Sequence, residues 1–477
     1  MDFALFLLIF LAFYTSGQLL TKRLLGLKFS DSVEAFLFST AVGSIFFSAL
    51  ATALVFAGWI NSAVCWSILG AFLLIGWKNL LHLKTALNIF QGATAQGHAE
   101  LKNLAQSFLV LLAFLSIGLA MAPAFATDAL VHHLAVPKAF LQAGGLVNLP
   151  DNIYSFFPQQ IEMLYLFALA IGSDSLAQLI GLGIVFLLLL ALWHYSSKKV
   201  EVSYAWLTPL IFFSTPTFFS LASSAYVELQ AATYIFLGFY CWENGCKRKQ
   251  SSWFILMTLF AGAAVTTKLT SIIILPLALI GLAIHGRSHK NVSQTAIQCL
   301  TLALVTLLII SPWLVRNYFF TGNPLAPFFM NIFGGESGMN WDVTRSQMQL
   351  KYYSSFGMGH GHSRFFISTH QSHIFQRAKF SQIRWQNWNS VFITITSTFR
   401  VRPEKSPCNY CVLSITSILV SANAKHKASS ARTCFSFLFN DFRTGTGFYK
   451  IQKWKNRKIF FNSYFSSRYF TQYICHN

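Results

Sequence analysis

Long apolar runs separated by short polar loops are the dominant pattern of this chain. A helix needs about 20 mostly apolar residues to cross the hydrocarbon core of a bilayer. Ten segments reach or approach that length, namely residues 3–20, 33–58, 62–77, 106–124, 177–195, 204–222, 226–242, 253–267, 269–285 and 296–314. The pattern therefore predicts an all-α polytopic membrane protein with a bundle of about ten transmembrane helices.

One further apolar run, residues 161–172, is too short to cross a bilayer easily, so we expect a re-entrant or interfacial segment there. With this segment placed, the chain divides into five predicted regions. They are N-terminal transmembrane helices (1–125), an extracytoplasmic catalytic loop that includes the short run (126–176), further transmembrane helices (177–318), a second extracytoplasmic loop (319–363) and a tail (364–477).

The basic residues of the short loops predict how the bundle is oriented, because Lys and Arg are preferentially retained in the cytoplasm. They occur in alternate loops, at Lys22, Arg23 and Lys28, at Lys78, Lys84 and Lys102, at Lys198 and Lys199, at Lys247, Arg248 and Lys249, and at Arg287 and Lys290. These loops are predicted to be cytoplasmic. The large loop at 125–160 then faces the periplasm or the exterior.

Composition supports the membrane assignment and locates the excess charge. The chain is 54% hydrophobic and only 10% charged, which excludes an ordinary soluble protein. Its net charge of +20 would suggest a nucleic-acid partner if it were evenly spread, but residues 364–477 hold 17 Lys and Arg against 2 Asp and Glu. Nucleic acid is therefore not expected as a partner, whereas membrane lipids are.

The tail differs from the rest of the chain in more than charge. Residues 364–477 contain only 3 Leu, and no apolar run there is long enough to span a bilayer. We hypothesise that the reading frame changes near residues 362–364, which would make the product truncated or frame-shifted and could leave it inactive. The alternative is a genuine basic tail.

Candidate chemistry begins in the large outer loop. If the segment after Thr127 is helical, Asp128 and His132 share a face at positions i and i+4. A carboxylate beside an imidazole suits a general base that activates a hydroxyl, or a pair that shares a divalent metal ion. The alternative is that Asp128 only caps a helix and that His132 and His133 are interfacial.

Charged residues from distant spans are predicted to reach the same outer face. Lys268 and Arg316 are cations on the side where positive charge is disfavoured, and a phosphate leaving group on a lipid carrier would explain them. The alternative is that these long side chains extend to the interface. Lys138 is a weaker candidate for substrate binding. Glu228, at the start of a span, is a candidate second acid or a residue of a helix start.

The chain resembles bacterial membrane glycosyltransferases of the GT-C class, family 39-like, in five motifs. They are Asp128-Ala-Leu-Val-His-His-Leu-Ala-Val-Pro-Lys138, Asn152-Ile-Tyr-Ser-Phe-Phe-Pro158, Glu162-Met-Leu-Tyr165, Trp313-Leu-Val-Arg-Asn317 and Thr321-Gly-Asn-Pro-Leu-Ala-Pro-Phe328. The resemblance covers about residues 100–362. It implies an enzyme that uses a polyprenyl-phosphate-linked sugar, with Asp128 matching the acid of the first outer loop. Many members carry paired acids there, whereas Thr127 precedes Asp128 here, so metal dependence stays open.

The expected function is therefore transfer of a sugar from a polyprenyl-phosphate-linked donor to a hydroxyl or amine of a lipid, glycan or protein acceptor. Asp128 and Glu228 are the predicted catalytic residues, and the predicted substrate-binding residues are His132, His133, Lys138, Lys268 and Arg316. The reaction would occur at the outer face of the bacterial cytoplasmic membrane. No cofactor is firmly predicted beyond the divalent ion that Asp128 and His132 would hold. The alternative function is a multi-span transporter or a flippase for lipid-linked glycans.

Overall fold

A computed structural model describes residues 1–87, 99–200, 202–289, 292–335, 338–345 and 347–348. Every regular element in these ranges is helical, in agreement with the predicted all-α class. Six helices within them are long and apolar enough to cross a membrane, as expected of a multi-pass membrane protein. The ten-span bundle stays a prediction. The tail at 364–477 lies outside the described residues, and so does the proposed change of frame.

The first four helices are α1 (Asp2–Gln18), α2 (Ser32–Ala57), α3 (Ser62–Leu87) and α4 (Ala99–Ala120). The first two follow the predicted spans closely, whereas α3 continues past the predicted end at 77 and α4 begins before the predicted start at 106. The two ends of α2 are set by a side-chain cap and by a glycine. The side chain of Asp31 accepts a hydrogen bond from the backbone nitrogen of Glu34 at 2.8 Å and so caps the start of α2. Gly58 ends the same helix with a φ of 71°, a conformation that glycine adopts without strain.

The close packing of α1 on α2 depends on two glycines. A Cβ atom on Gly17 would lie 1.7 Å from the carbonyl oxygen of Ser39, and one on Gly43 would lie 1.8 Å from the carbonyl oxygen of Phe13. No larger residue fits at either position unless the helices separate. Small residues at such crossings are typical of helices that pack within a bilayer.

The predicted outer loop is largely helical. It contains a π-helical turn (Ala129–His133), α5 (Ala135–Ala143), a 3₁₀ turn (Ile153–Phe156) and α6 (Gln160–Ile171). All residues of α6 except Leu169 are buried, and the helix packs against α2 and α5. A helix that is apolar all round is expected to be enclosed by protein. The short run at 161–172 is therefore a helix enclosed by protein, and its re-entrant or interfacial position in the membrane stays a prediction.

After α7 (Asp174–Ser197), the span predicted at 204–222 does not form a single helix, so that prediction is wrong. The chain instead makes α8 (Val202–Ala205), α9 (Leu207–Phe213) and α10 (Pro216–Ala222). Pro216 is the first residue of α10 and Thr215 before it is extended. Because proline lacks an N–H donor and disfavours helix in the preceding residue, the apolar run breaks there.

The remaining elements are α11 (Glu228–Arg248), α12 (Ser251–Thr267), a 3₁₀ turn (Leu269–Ile273), α13 (Ile274–His289), α14 (Val292–Thr321) and α15 (Met330–Phe333). Helix α12 packs against both α11 and α14. Only two residues connect α11 to α12, so the two helices run antiparallel. The start of α11 therefore lies beside the end of α12, and this places Glu228 next to Lys268.

A polar cluster at the other end of α11 connects three of the loops predicted to be cytoplasmic. His194 Nε2 lies 3.0 Å from Asp31 Oδ1, and His194 Nδ1 lies 3.0 Å from the hydroxyl of Tyr240. Arg248 Nη2 donates to the fully buried carboxylate of Glu34 at 2.7 Å. These contacts confirm that the loops share one end of the bundle. Which compartment that end faces stays a prediction.

Candidate functional site

The segment that carries Asp128 is a tight turn. Residues Ala129–His133 form a π-helical turn, closed by a 2.9 Å hydrogen bond from the backbone nitrogen of Leu134 to the carbonyl of Ala129. Asp128 precedes this turn, and its partly exposed side chain makes no capping hydrogen bond. The reading of Asp128 as a simple helix cap is therefore wrong. Its carboxylate is accessible to a ligand.

The predicted pairing of Asp128 with His132 is not formed. The ring of His132 stacks instead on Tyr154, with 4.4 Å between the ring centroids and 19° between the planes. The π turn shifts the register of the i and i+4 positions, which accounts for the lost pairing. Burial, together with repulsion from His133, lowers the pKa of His132 to about 3. His132 is therefore neutral at pH 7 and does not attract a phosphate as a cation would.

His133 makes the contact that organises the site. Its Nδ1 lies 2.8 Å from Oε1 of Glu162, and both residues are 5% exposed. The other carboxylate oxygen of Glu162 is buried and has no hydrogen-bond partner among the described residues. A buried carboxyl group is costly unless it is hydrogen-bonded, so His133 stabilises Glu162 in this position and fixes its orientation.

Glu228 and Lys268 form a salt bridge between the start of α11 and the residue that follows α12. Their side chains are 20% and 31% exposed, so the pair is partly accessible. Both groups interact electrostatically with His132, and Glu228 also interacts with His133. The two histidines and this ion pair therefore belong to one cluster.

Arg316 is buried within α14 and holds a neighbouring loop. Its Nη2 donates to the carbonyl of Phe157 at 3.1 Å and to Oδ1 of Asn317 at 2.9 Å, while its guanidinium lies 4.9 Å from the ring centroid of Trp313. Asn317 in turn donates to the carbonyl of Phe156 at 2.9 Å. The buried Nη1 of Arg316 has no partner within the described ranges.

Five of the seven predicted site residues are thus brought together, in a cluster of His132, His133, Glu228, Lys268 and Arg316 around Glu162. Asp128 and Lys138 are not part of that contact network. Lys138 is exposed on α5, and among the described residues neither its side chain nor that of Asp128 makes a hydrogen bond or an ion pair. Asp128 lies four residues before His132 along the chain, and its side chain has no contact with the cluster among the described residues.

Glu162 is the functional candidate that the sequence reasoning missed. It lies within one of the motifs that carry the family resemblance, Glu162-Met-Leu-Tyr165, but was assigned no role. The sequence did contain a signal, namely an acidic residue at the start of an apolar run. Such a residue is energetically costly to bury and is commonly functional. The hydroxyl of Tyr165 donates to the carbonyl of Tyr226 at 2.7 Å, which brings α6 to the segment just before Glu228.

A family model described as "Domain of unknown function (DUF8201)" matches residues 2–420. The chain belongs to this family. No curated protein and no solved structure matches the chain. Since the description of DUF8201 names no activity, the chemistry of this member is inferred from its own residues.

The side chains near Asp128 decide which divalent metal ion this part of the chain could coordinate. In the described part of the chain, no group of three or more His, Cys, Asp or Glu side chains is placed to hold a metal ion. Zinc sites need three or four such ligands, so the residues do not fit zinc. Magnesium is commonly bound by one or two carboxylates together with substrate phosphates, and Asp128 alone would suit that arrangement. A divalent ion therefore stays a prediction.

Proposed function

We propose that this protein transfers a sugar from a polyprenyl-phosphate-linked donor to a hydroxyl group of a membrane-associated acceptor, at the outer face of the cytoplasmic membrane. The observation that carries the proposal is the convergence of acids, imidazoles and cations from five separate segments at one end of a bundle of apolar helices. A donor with a lipid tail would reach such a site from the bilayer, with its head group among the polar residues.

The chemistry needs a base, an electrophile and a stabilised leaving group. Asp128 accepts the proton of the acceptor hydroxyl while that oxygen attacks the anomeric carbon of the donor. The bond from the anomeric carbon to the phosphate oxygen breaks, and its electrons pass to the phosphate. Such a one-step displacement inverts the anomeric centre.

Lys268 is the cation best placed for the departing phosphate. It is partly exposed, and its partner Glu228 holds its ammonium group at the cluster. A phosphate carries more negative charge than a carboxylate and would compete with Glu228 for Lys268. Release of Glu228 from the ion pair would leave a second acid beside the reacting groups.

A transport or flippase function is the second candidate, and two observations favour it. Helices α8, α9 and α10 interrupt one apolar run, and Glu162 and Arg316 are ionisable residues buried inside the protein. Interrupted helices and buried charges are typical of transporters. A flippase moves the lipid-linked sugar across the bilayer without changing it chemically, so product analysis separates the two functions.

The test is an assay of purified protein in proteoliposomes that contain a radiolabelled polyprenyl-phosphate hexose and an acceptor lipid extract. We expect wild-type protein to form labelled product, and Asp128→Asn to lower kcat by about 10²- to 10⁴-fold because the base is removed. Asp151→Asn is the matched control, since Asp151 is an exposed acid of the same loop. Wild-type activity in Asp128→Asn would contradict the assignment, and movement of unchanged donor between leaflets would favour the flippase.

A further inference from the structure

Two buried charged groups of the site have atoms without hydrogen-bond partners. Glu162 is 5% exposed and Arg316 is 1% exposed. Oε2 of Glu162 and Nη1 of Arg316 are both fully buried, and neither has a partner among the described residues. A buried polar atom without a hydrogen bond is energetically costly, and more so when its group is charged. Both atoms are therefore strongly disposed to bind a ligand.

The chain segment that leads into α6 brings the two groups close together. Nη2 of Arg316 donates to the carbonyl of Phe157 at 3.1 Å, five residues before Glu162, and Glu162 acts electrostatically on Arg316. In the described residues no ion pair joins the two, and Glu162 is paired with His133. A ligand placed between them would have to donate a hydrogen bond to the carboxylate and accept one from the guanidinium. A hydroxyl group does both. A phosphate has no proton to donate at neutral pH and would be repelled by Glu162.

One nearby side chain has the same character. Gln159 immediately precedes α6, three residues before Glu162, and it is 3% exposed. Its Oε1 is buried and has no partner in the described ranges. An unused acceptor suits a further hydroxyl group. Several hydroxyls on one small ring are the defining feature of a sugar.

We propose that Glu162 and Arg316 together bind a hydroxyl group of the donor sugar, and that Gln159 extends this site to a neighbouring hydroxyl. This inference rests on the proposed function. It changes the role expected for Arg316, from binding the phosphate to recognising the sugar. Lys268 then remains the cation for the phosphate, so the two ends of the donor head group are recognised by different residues.

The test compares two probes that differ only in the sugar. One is a water-soluble, short-chain prenyl phosphate that carries a hexose, and the other carries a methyl group in place of the hexose, so that both are phosphodiesters with one negative charge. Glu162→Gln preserves the side-chain shape, and its amide oxygen still accepts from His133. Arg316→Lys keeps the charge but loses the planar fork of donors. Glu100→Gln is the matched control, because Glu100 is an exposed acid on α4.

We expect both variants to bind the hexose probe at least about tenfold more weakly than wild type, since hydrogen bonds to charged groups are strong. Binding of the sugarless probe should change by less than about twofold. Melting temperature and size-exclusion profile identify any variant that fails to fold, and Glu162→Asp then replaces Glu162→Gln.

The possible results distinguish a failure of this inference from a failure of the proposed function. Equal weakening of both probes would assign Glu162 and Arg316 to the phosphate or the lipid and would overturn the inference, while the donor class would stand. Unchanged binding of the hexose probe in both variants would also overturn it, because water alone would then satisfy the two groups. If wild-type protein bound neither probe, the proposed donor would be wrong, and this inference with it.

Discussion

The ion pair between Glu228 and Lys268 offers a quantitative test of the site. Replacing Lys268 with Met removes the cation and leaves the carboxylate of Glu228 without its partner in a half-buried position. Exposed ion pairs contribute about 0–1 kcal/mol, whereas removing one partner of a fully buried pair costs about 3–5 kcal/mol. With side chains 20% and 31% exposed, this pair lies between those cases. We expect Lys268→Met to lower the free energy of unfolding by about 2 kcal/mol.

A double-mutant cycle isolates the contribution of the pair. The variants are Lys268→Met, Glu228→Gln and the double substitution, and the free energy of unfolding is measured in mixed micelles by titration with a denaturing detergent. We expect a coupling energy of about 1–2 kcal/mol, because residues in direct contact are not additive. Lys22→Met, at an exposed position on the opposite end of the bundle, should change stability by less than about 0.5 kcal/mol. A coupling energy of zero would refute the placement of α11 beside Lys268.

Three further predictions concern packing, pH dependence and the second polar cluster. Gly43→Ala should lower stability by about 1–3 kcal/mol because a Cβ would collide with the backbone of α1, whereas Gly118→Ala, with open space around it, should be nearly neutral in the same thermal-melting assay. Below pH 6.5 the unfolded chain protonates His132 while the folded protein does not until about pH 3, so stability should fall across that window. His132→Gln should reduce the slope of the free energy of unfolding against pH by about 1.4 kcal/mol per pH unit in that window, and an unchanged slope would contradict the neutral state of His132 in the folded protein. Arg248→Met should cost about 1–3 kcal/mol because the buried carboxylate of Glu34 loses its guanidinium partner and keeps only Asn244, Ser30 and the more distant Lys198, and a melting temperature equal to wild type would show that the contact is unimportant.

Much of the fold could be predicted from hydrophobicity alone. The long helices α1, α2, α7 and α14 begin and end close to the predicted limits, because a stretch of about 20 apolar residues is stable as a helix in a bilayer. The failure at 204–222 has a local cause, since Pro216 ends one helical segment and begins another. Hydrophobicity alone does not predict that break in the helix.

The candidate site was harder to predict because it depends on contacts between distant segments. Periodicity suggested that Asp128 would pair with His132, but the π turn and the stacking on Tyr154 separate them. The pairing of His133 with Glu162 joins two elements 29 positions apart in the chain, and no spacing rule predicts it. The role expected for Arg316 also changed once its carbonyl and amide partners were known.

Labelling of single cysteines from the outside of intact cells tests the central claim most directly, namely that this cluster lies at the outer face of the membrane. In a background without native cysteines, Lys138→Cys would be exposed beside the site and Lys249→Cys would be exposed at the other end of the bundle. We predict that a membrane-impermeant maleimide labels position 138 in intact cells and position 249 only after permeabilisation. Labelling of position 249 but not 138 in intact cells would contradict the account, because the proposed site would then face the cytoplasm.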